Sequence, residues 1–138
     1  MANSPWEIEW SGALSMSNPV IDAEHQRFIE LVNDLNGEIM NQRRDKAVIV
    51  NIMQLILEEA IAHFEHEERL LVENAYPGAK KHTQIHSELT AKIKQALKDI
   101  QNTEPSTAWI ETGLRIKVLL VDHLLNEDTK YINYLRTE

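Results

Sequence analysis

The sequence predicts an all-α fold, an up-down-up-down antiparallel four-helix bundle preceded by an extended N-terminal arm. Glycine and proline number only four each in 138 residues, which favours long helices over a turn-rich β fold. Hydrophobic residues make up 43% of the chain, enough for a packed core. We therefore expect one domain over residues 1–138, with the arm in residues 1–18 and the bundle in residues 19–135.

Four short breaks divide the chain into helical segments. They are Asn18-Pro19, Arg43–Asp45, Tyr76–Gly78 and Asn102–Pro105, all rich in residues that start or end helices. The segments between them predict helices at about 19–41, 45–75, 78–101 and 106–135, with Asp45 as the N-cap of the second. Because the connections are short, neighbouring helices should run antiparallel.

Composition argues against several classes of protein. The formal net charge is −8 and there is no basic run, so we expect no nucleic-acid partner. There is no cysteine, which excludes disulfides, thiolate metal sites and cysteine nucleophiles. No apolar run reaches the ~20 residues of a membrane span, and the polar N-terminus does not resemble a signal peptide. We therefore expect no membrane insertion and a cytoplasmic location.

Each predicted helix carries an apolar stripe at spacings of three and four residues. In the second helix this stripe passes through Ile52 and Leu70. Polar side chains interrupt every stripe, and they are His25, His63, Glu67, His82, His86, His123 and Asp128. At a rise of ~1.5 Å per residue, these positions fall at about one level in an antiparallel bundle. Five imidazoles and two carboxylates should therefore converge at one end of the core.

Two neighbouring positions need separate treatment. His66 lies off the stripe of the second helix, and we expect it at the surface. On the fourth helix, Glu127 is an alternative to Asp128, because it lies four residues after His123, whereas a five-residue step turns the helix by ~140°. Spacing alone does not choose between the two carboxylates.

Metal binding explains why so many polar groups lie on a core face. Left uncompensated, they would cost several kcal/mol per buried charge, against a total stability of ~5–15 kcal/mol. Imidazoles with carboxylates and no sulfur suit iron, manganese, zinc or copper. Five imidazoles, two bridging carboxylates and one bridging oxygen fill about eleven of the twelve positions around two octahedral ions. The remaining open position suits a small diatomic ligand.

The pattern of His25, His63-x3-Glu67, His82-x3-His86 and His123-x4-Asp128 resembles the hemerythrin family. The flanking motifs Ile21–His25, His63-Phe64, Tyr76-Pro77 and Glu127-Asp128 are similar as well. The resemblance runs from about Trp10 to Leu135, nearly the whole chain.

The resemblance implies a site for two iron ions with a bridging oxo or hydroxo group, and dioxygen as the ligand. His82, His86 and His123 would bind the iron that is coordinatively full. His25 and His63 would bind the iron that keeps the vacancy. Glu67 and Asp128 would bridge both ions, so the family pattern favours Asp128 over Glu127.

The residues around the vacancy depart from the pattern that is usual in bacterial members of the hemerythrin family. Leu119 stands four residues before the fourth-helix histidine, where an aromatic is common; Glu59 and Leu89 also replace aromatic residues. We expect Phe28, Phe64, Leu119 and Leu120 to line the oxygen pocket, and Glu24 and Tyr131 to hydrogen-bond the metal ligands.

Three functions are compatible with such a centre. They are an oxygen carrier, store or delivery protein; a module that senses oxygen or redox state; and a di-iron enzyme of peroxidase or nitric-oxide-handling type. The chain ends soon after the fourth helix, which favours a carrier over a sensor. No unliganded acid–base residue is clearly placed in the pocket, so we expect a binding protein rather than an enzyme.

Overall fold

The computed structural model describes residues 8–10, 15–16, 18–41 and 43–126. Within those residues the chain forms four helices and no strand. They are α1 (Pro19–Met40), α2 (Lys46–Glu73), α3 (Ala79–Gln101) and α4 (Ala108–Asn126). The predicted all-α bundle is confirmed. The predicted continuation of α4 to residue 135 lies outside the described residues.

Side-chain caps set where the first two helices begin. Asn18 accepts hydrogen bonds from the backbone N–H groups of Val20 and Ile21, and Pro19 occupies the first turn of α1, where a missing N–H costs nothing. Asp45 accepts from Ala47 and Val48 at the start of α2, so its predicted capping role is confirmed. Short loops connect successive helices and reverse the direction of the chain. As a result, α1 and α3 each pack against both α2 and α4.

The end of the bundle away from the buried histidines is mainly apolar. Its completely buried side chains come from all four helices and include Leu35, Ile39, Ile49, Met53, Ile56, Ile93 and Ile116. The predicted stripe of α2 was wrong at two positions, because Met53 and Leu71 are buried where Ile52 and Leu70 were expected, and the latter pair is only partly buried. Steps of three and four both fit a 3.6-residue repeat, so packing against neighbouring helices decides which phase is buried.

The described residues of the N-terminal arm pack on α1 and α2. Ile8 and Trp10 cover Ile29, and the backbone of Ile8 exchanges two hydrogen bonds with the side-chain amide of Asn33, at 2.8 and 2.9 Å. Further along, Met16 is 1% exposed and packs against Ile21 and Leu71. Met16 therefore covers the bundle near the start of α1, at the end that carries the histidines.

One close approach joins α1 to α4. The side-chain amide of the buried Asn36 donates to the backbone carbonyl of Gly113 at 3.3 Å and to that of Val32 at 3.2 Å. A Cβ atom at position 113 would collide with the Asn36 side chain and lie 2.9 Å from Cδ1 of Ile39. Glycine therefore allows the two helices to touch at this level.

By length and composition, α2 is also apolar enough to cross a membrane. The core helix of a soluble protein meets the same criteria, so this feature is weak evidence for a membrane span. The buried face of α2 includes His63 and Glu67, which contact side chains of the neighbouring helices.

Candidate metal centre

Six polar side chains meet inside one end of the bundle, and each is at most 5% exposed. They are His25 from α1, His63 and Glu67 from the later part of α2, His82 and His86 from the start of α3, and His123 from the end of α4. Their potential ligand atoms form two groups, each within 4.8 Å: His25, His63 and Glu67, and Glu67, His82, His86 and His123. The antiparallel course of the helices brings these distant parts of the chain to one level.

Glu67 belongs to both groups, and its two oxygens face different histidines. Oε2 lies 3.0 Å from Nε2 of His63 and 3.7 Å from Nε2 of His25. Oε1 lies 3.1 Å from Nε2 of His86 and 3.3 Å from Nε2 of His82. A carboxylate placed in this way can give one oxygen to each of two adjacent cations.

The charge of Glu67 depends on these neighbours. Burial raises the pKa of the Glu67 carboxyl, because desolvation penalises the charged form. Hydrogen bonds from the imidazoles of His25, His63, His82 and His86 outweigh burial and hold the pKa well below its usual range. The carboxylate is therefore ionised at neutral pH, as a metal ligand must be.

The geometry on the α1–α2 side suits a single ion. The Nε2 atoms of His25 and His63 lie 3.0 Å apart. Two nitrogens bound to one ion at ~2.1 Å and at a right angle would be separated by about 3.0 Å. Imidazole nitrogens together with carboxylate oxygen, without sulfur, fit iron as well as manganese, zinc or copper.

Two carboxylates outside the cluster orient its imidazoles. Glu24 accepts from Nδ1 of His63 at 3.0 Å, and Glu68 accepts from Nδ1 of His86 at 3.0 Å. Both contacts turn the Nε2 atom of the ring toward Glu67. Sequence reasoning named Glu24 but missed Glu68, although Glu68 follows Glu67 directly and is turned by ~100° toward α3.

His66 is not a plain surface residue, so that prediction was wrong. Its side chain is only 27% exposed, and its Nδ1 atom lies 3.0 and 3.1 Å from the two oxygens of Glu24. Burial raises the pKa of Glu24, but hydrogen bonds and charge attraction from His63 and His66 lower it below the usual value. The side chain of Glu24 thus accepts hydrogen bonds from two histidines of α2.

Aromatic rings lie directly against the imidazoles. Phe64 stacks on His86 with ring centroids 4.0 Å apart and an angle of 10° between the planes. Phe28 meets His63 edge to face at 5.4 Å. Leu120 is buried in the same apolar cluster as both phenylalanines. The two phenylalanine rings therefore place apolar surface directly against the imidazoles.

Clefts open along the bundle between neighbouring helices. A groove of about 480 Å³ between α2 and α3 reaches Phe64 and His86. A smaller cleft of about 270 Å³ between α3 and α4 is lined by the half-buried Leu119 and by Lys92, Gln95, Ala96, Arg115 and Ile116. Leu119 therefore lies at a seam of the bundle, partly in contact with the core.

The remaining sequence-predicted residues of the site are Asp128, its alternative Glu127, and Tyr131. All three lie outside the described residues. The second bridging carboxylate is therefore a prediction from the sequence alone.

Comparison with known proteins gives concordant matches. A family model described as the hemerythrin HHE cation binding domain matches residues 17–135. Bacteriohemerythrin of Pseudomonas aeruginosa (strain LESB58) is 25% identical over 133 residues, 94% of this chain and 82% of the relative. Bacteriohemerythrin of Stenotrophomonas maltophilia (strain R551-3) is 24% identical over 129 residues, 94% of this chain and 82% of the relative. Myohemerythrin of Riftia pachyptila is 25% identical over 127 residues, 92% of each chain.

Proposed function

The chain belongs to the hemerythrin family, and on that premise we propose that it binds dioxygen reversibly at a non-haem di-iron centre, for oxygen transport, storage or delivery. The observation that carries the proposal is the position of Glu67. One carboxylate oxygen faces His25 and His63, and the other faces His82 and His86. That arrangement supports two ions sharing one bridging ligand, rather than a single metal site.

The ligands divide between the two ions as the two groups of atoms do. His25 and His63 would hold one iron, and His82, His86 and His123 the other, with Glu67 shared. Asp128 is proposed as the second bridging carboxylate, together with a bridging oxo or hydroxo group. Two reduced irons held by these residues would supply the electrons for reversible binding of dioxygen.

The protein's own contribution is orientation and the exclusion of water. Glu24 and Glu68 fix the Nδ1–H tautomers of His63 and His86, which leaves the Nε2 lone pairs directed at the metal positions. Phe28, Phe64 and Leu120 give the same space an apolar wall. An apolar wall that excludes water would slow the delivery of protons to the centre. Protons at the centre would convert reversible binding of dioxygen into oxidation of the iron.

The same residues argue for binding rather than catalysis. Among the described residues, Glu24 and Glu68 contact the cluster from outside, and each is engaged by an imidazole. They act as orienting groups, so we do not propose a peroxidase or a nitric-oxide-handling enzyme. A sensing module would use the same centre and would differ in coupling oxygenation to a partner protein.

Anaerobic reconstitution with ferrous iron tests the proposal. We expect about two irons per chain, a change in the optical spectrum on exposure to air, and recovery of the first spectrum after oxygen is removed under argon. The matched control is the variant Glu67→Ala, which should show no reversible change. Permanent oxidation of the wild-type protein at first contact with air, or incorporation of a single zinc ion in place of iron, would refute the proposal.

A further inference from the structure

Beside the ligand end, one carboxylate is shared by two histidines of α2. Oε1 of Glu24 lies 3.0 Å from Nδ1 of His63 and 3.0 Å from Nδ1 of His66, and Oε2 lies 3.1 Å from the latter. His66 follows His63 by three residues, so both rings project from the same side of α2 toward α1. The contact joins a buried metal-ligand candidate to a residue that reaches solvent.

The direction of the hydrogen bonds follows from the chemistry of the groups. An ionised carboxylate can only accept, so both imidazoles donate from Nδ1. For His63 this leaves Nε2 as the atom that faces Glu67 and His25. The side chain of His66 is 27% exposed and that of Glu24 30% exposed.

We propose that His66 is a positioning residue that shares the Glu24 carboxylate with His63 and thereby sets the reduction potential of the metal bound there. The proposal rests on the proposed iron centre but not on the binding of dioxygen. His66 acts through Glu24, because its hydrogen bonds take up part of the negative charge that Glu24 otherwise presents to the Nδ1–H group of His63.

This effect on the potential has a definite sign. A carboxylate that accepts only from a metal-bound imidazole makes that imidazole a stronger electron donor, which stabilises the oxidised metal. A second hydrogen bond to the same carboxylate weakens this donation. Loss of the His66 donor should therefore shift the midpoint potential of the centre downward, because Glu24 then accepts from His63 alone.

Three variants separate this role from a purely structural one. His66→Leu removes the donor, His66→Asn keeps an amide N–H near the position of Nδ1, and Glu24→Gln removes the shared charge. In the iron-free chain, the ¹⁵N resonance of His63 Nδ1 should move in His66→Leu and stay near the wild-type value in His66→Asn. If His66→Leu fails to fold, His66→Ala replaces it.

The midpoint potential of the iron-loaded protein is the second measurement. We expect a downward shift in His66→Leu, little change in His66→Asn, and no further shift when His66→Leu is combined with Glu24→Gln. An unchanged potential in His66→Leu, an upward shift, or the same shift in the Glu24→Gln background would overturn the proposal. A protein that shows the expected shifts but does not release dioxygen would count against the proposed function alone.

Discussion

The carboxylate of Glu68 accepts a hydrogen bond from Nδ1 of His86 at 3.0 Å and thereby fixes the ring whose Nε2 atom lies 3.1 Å from Glu67. Groups that orient a metal-bound histidine typically change metal affinity by ~10–100-fold when removed. We expect Glu68→Ala to weaken iron binding within that range. Glu68→Gln should have a smaller effect, because its amide carbonyl still accepts from Nδ1.

Competition for ferrous iron with a chelator measures this effect. The matched control is Glu65→Ala, which removes an exposed carboxylate from the same stretch of α2. Equal iron affinities for the Glu65 and Glu68 variants would show that only the overall charge matters and that the hydrogen bond to His86 does not.

In the proposed centre, Glu67 is shared by both irons, because its oxygens face two pairs of histidines. We expect Glu67→Ala to retain less iron than His82→Ala, since removal of a bridge weakens both ions whereas removal of a terminal ligand weakens one. Metal analysis after identical anaerobic reconstitution gives the comparison. A Glu67→Ala protein with two irons and the wild-type optical response to oxygen would show that Glu67 is not a bridge.

Removal of the metal should loosen the ligand end more than the apolar end. Without cations, the free energy gained from metal–ligand bonds is lost, and we expect the free energy of unfolding to fall by several kcal/mol with most of the helix retained. Hydrogen exchange should quicken around His25, His82 and His123 and change little around Ile39, Ile56 and Ile100, which are at most 1% exposed. Equal thermal midpoints for the iron-loaded and iron-free proteins would contradict this prediction.

The sequence predicted the features that depend on local chemistry. Asp45 was identified as a cap because a short acidic side chain before an apolar repeat satisfies free N–H groups at a helix start. The faces carrying His25, His82 and His123 followed from their spacing to apolar neighbours, and the structure buries all three. Periodicity along a single helix is sufficient for inferences of this kind.

Features that depend on a second helix could not be predicted in the same way. Whether Ile52 or Met53 enters the core depends on the rotation of α2 against its neighbours, which the repeat in α2 does not fix. The contact of His66 with Glu24 depends on the height of α1 relative to α2. The choice of Glu68 as the partner of His86 depends on the height of α3 relative to α2. The repeat within one helix does not determine its height relative to a neighbouring helix.

Gly113 tests the packing of α1 against α4 without touching the ligands. Alanine favours an isolated helix over glycine by about 1 kcal/mol. Here the added methyl group would collide with Asn36 and Ile39, so we expect Gly113→Ala to lower the free energy of unfolding by about 1–3 kcal/mol instead. Chemical denaturation measures this change in the free energy of unfolding. The double variant Asn36→Ala/Gly113→Ala should recover part of the loss, and a Gly113→Ala protein more stable than wild type would contradict the close approach.

Leu119 tests how small ligands reach the metal. It is half-buried at the α3–α4 seam, four residues before His123, and the cleft that it lines has a volume of about 270 Å³. An indole ring at this position would occupy part of the cleft and narrow the seam one helical turn before His123. We expect Leu119→Trp to slow both azide binding to the ferric centre and autoxidation several-fold, with an overpacking cost of ~1–3 kcal/mol.

The groove between α2 and α3 supplies the matched control. Ala91 is exposed there, in a groove that reaches His86, which is proposed to bind the coordinatively full iron. Ala91→Trp therefore adds the same ring without obstructing the proposed vacancy, and it should leave both rates unchanged. Stopped-flow azide binding, with autoxidation followed optically, compares the two variants at equal iron content. If Ala91→Trp slows azide binding and Leu119→Trp does not, ligands reach the centre between α2 and α3, and Leu119 has no part in controlling access.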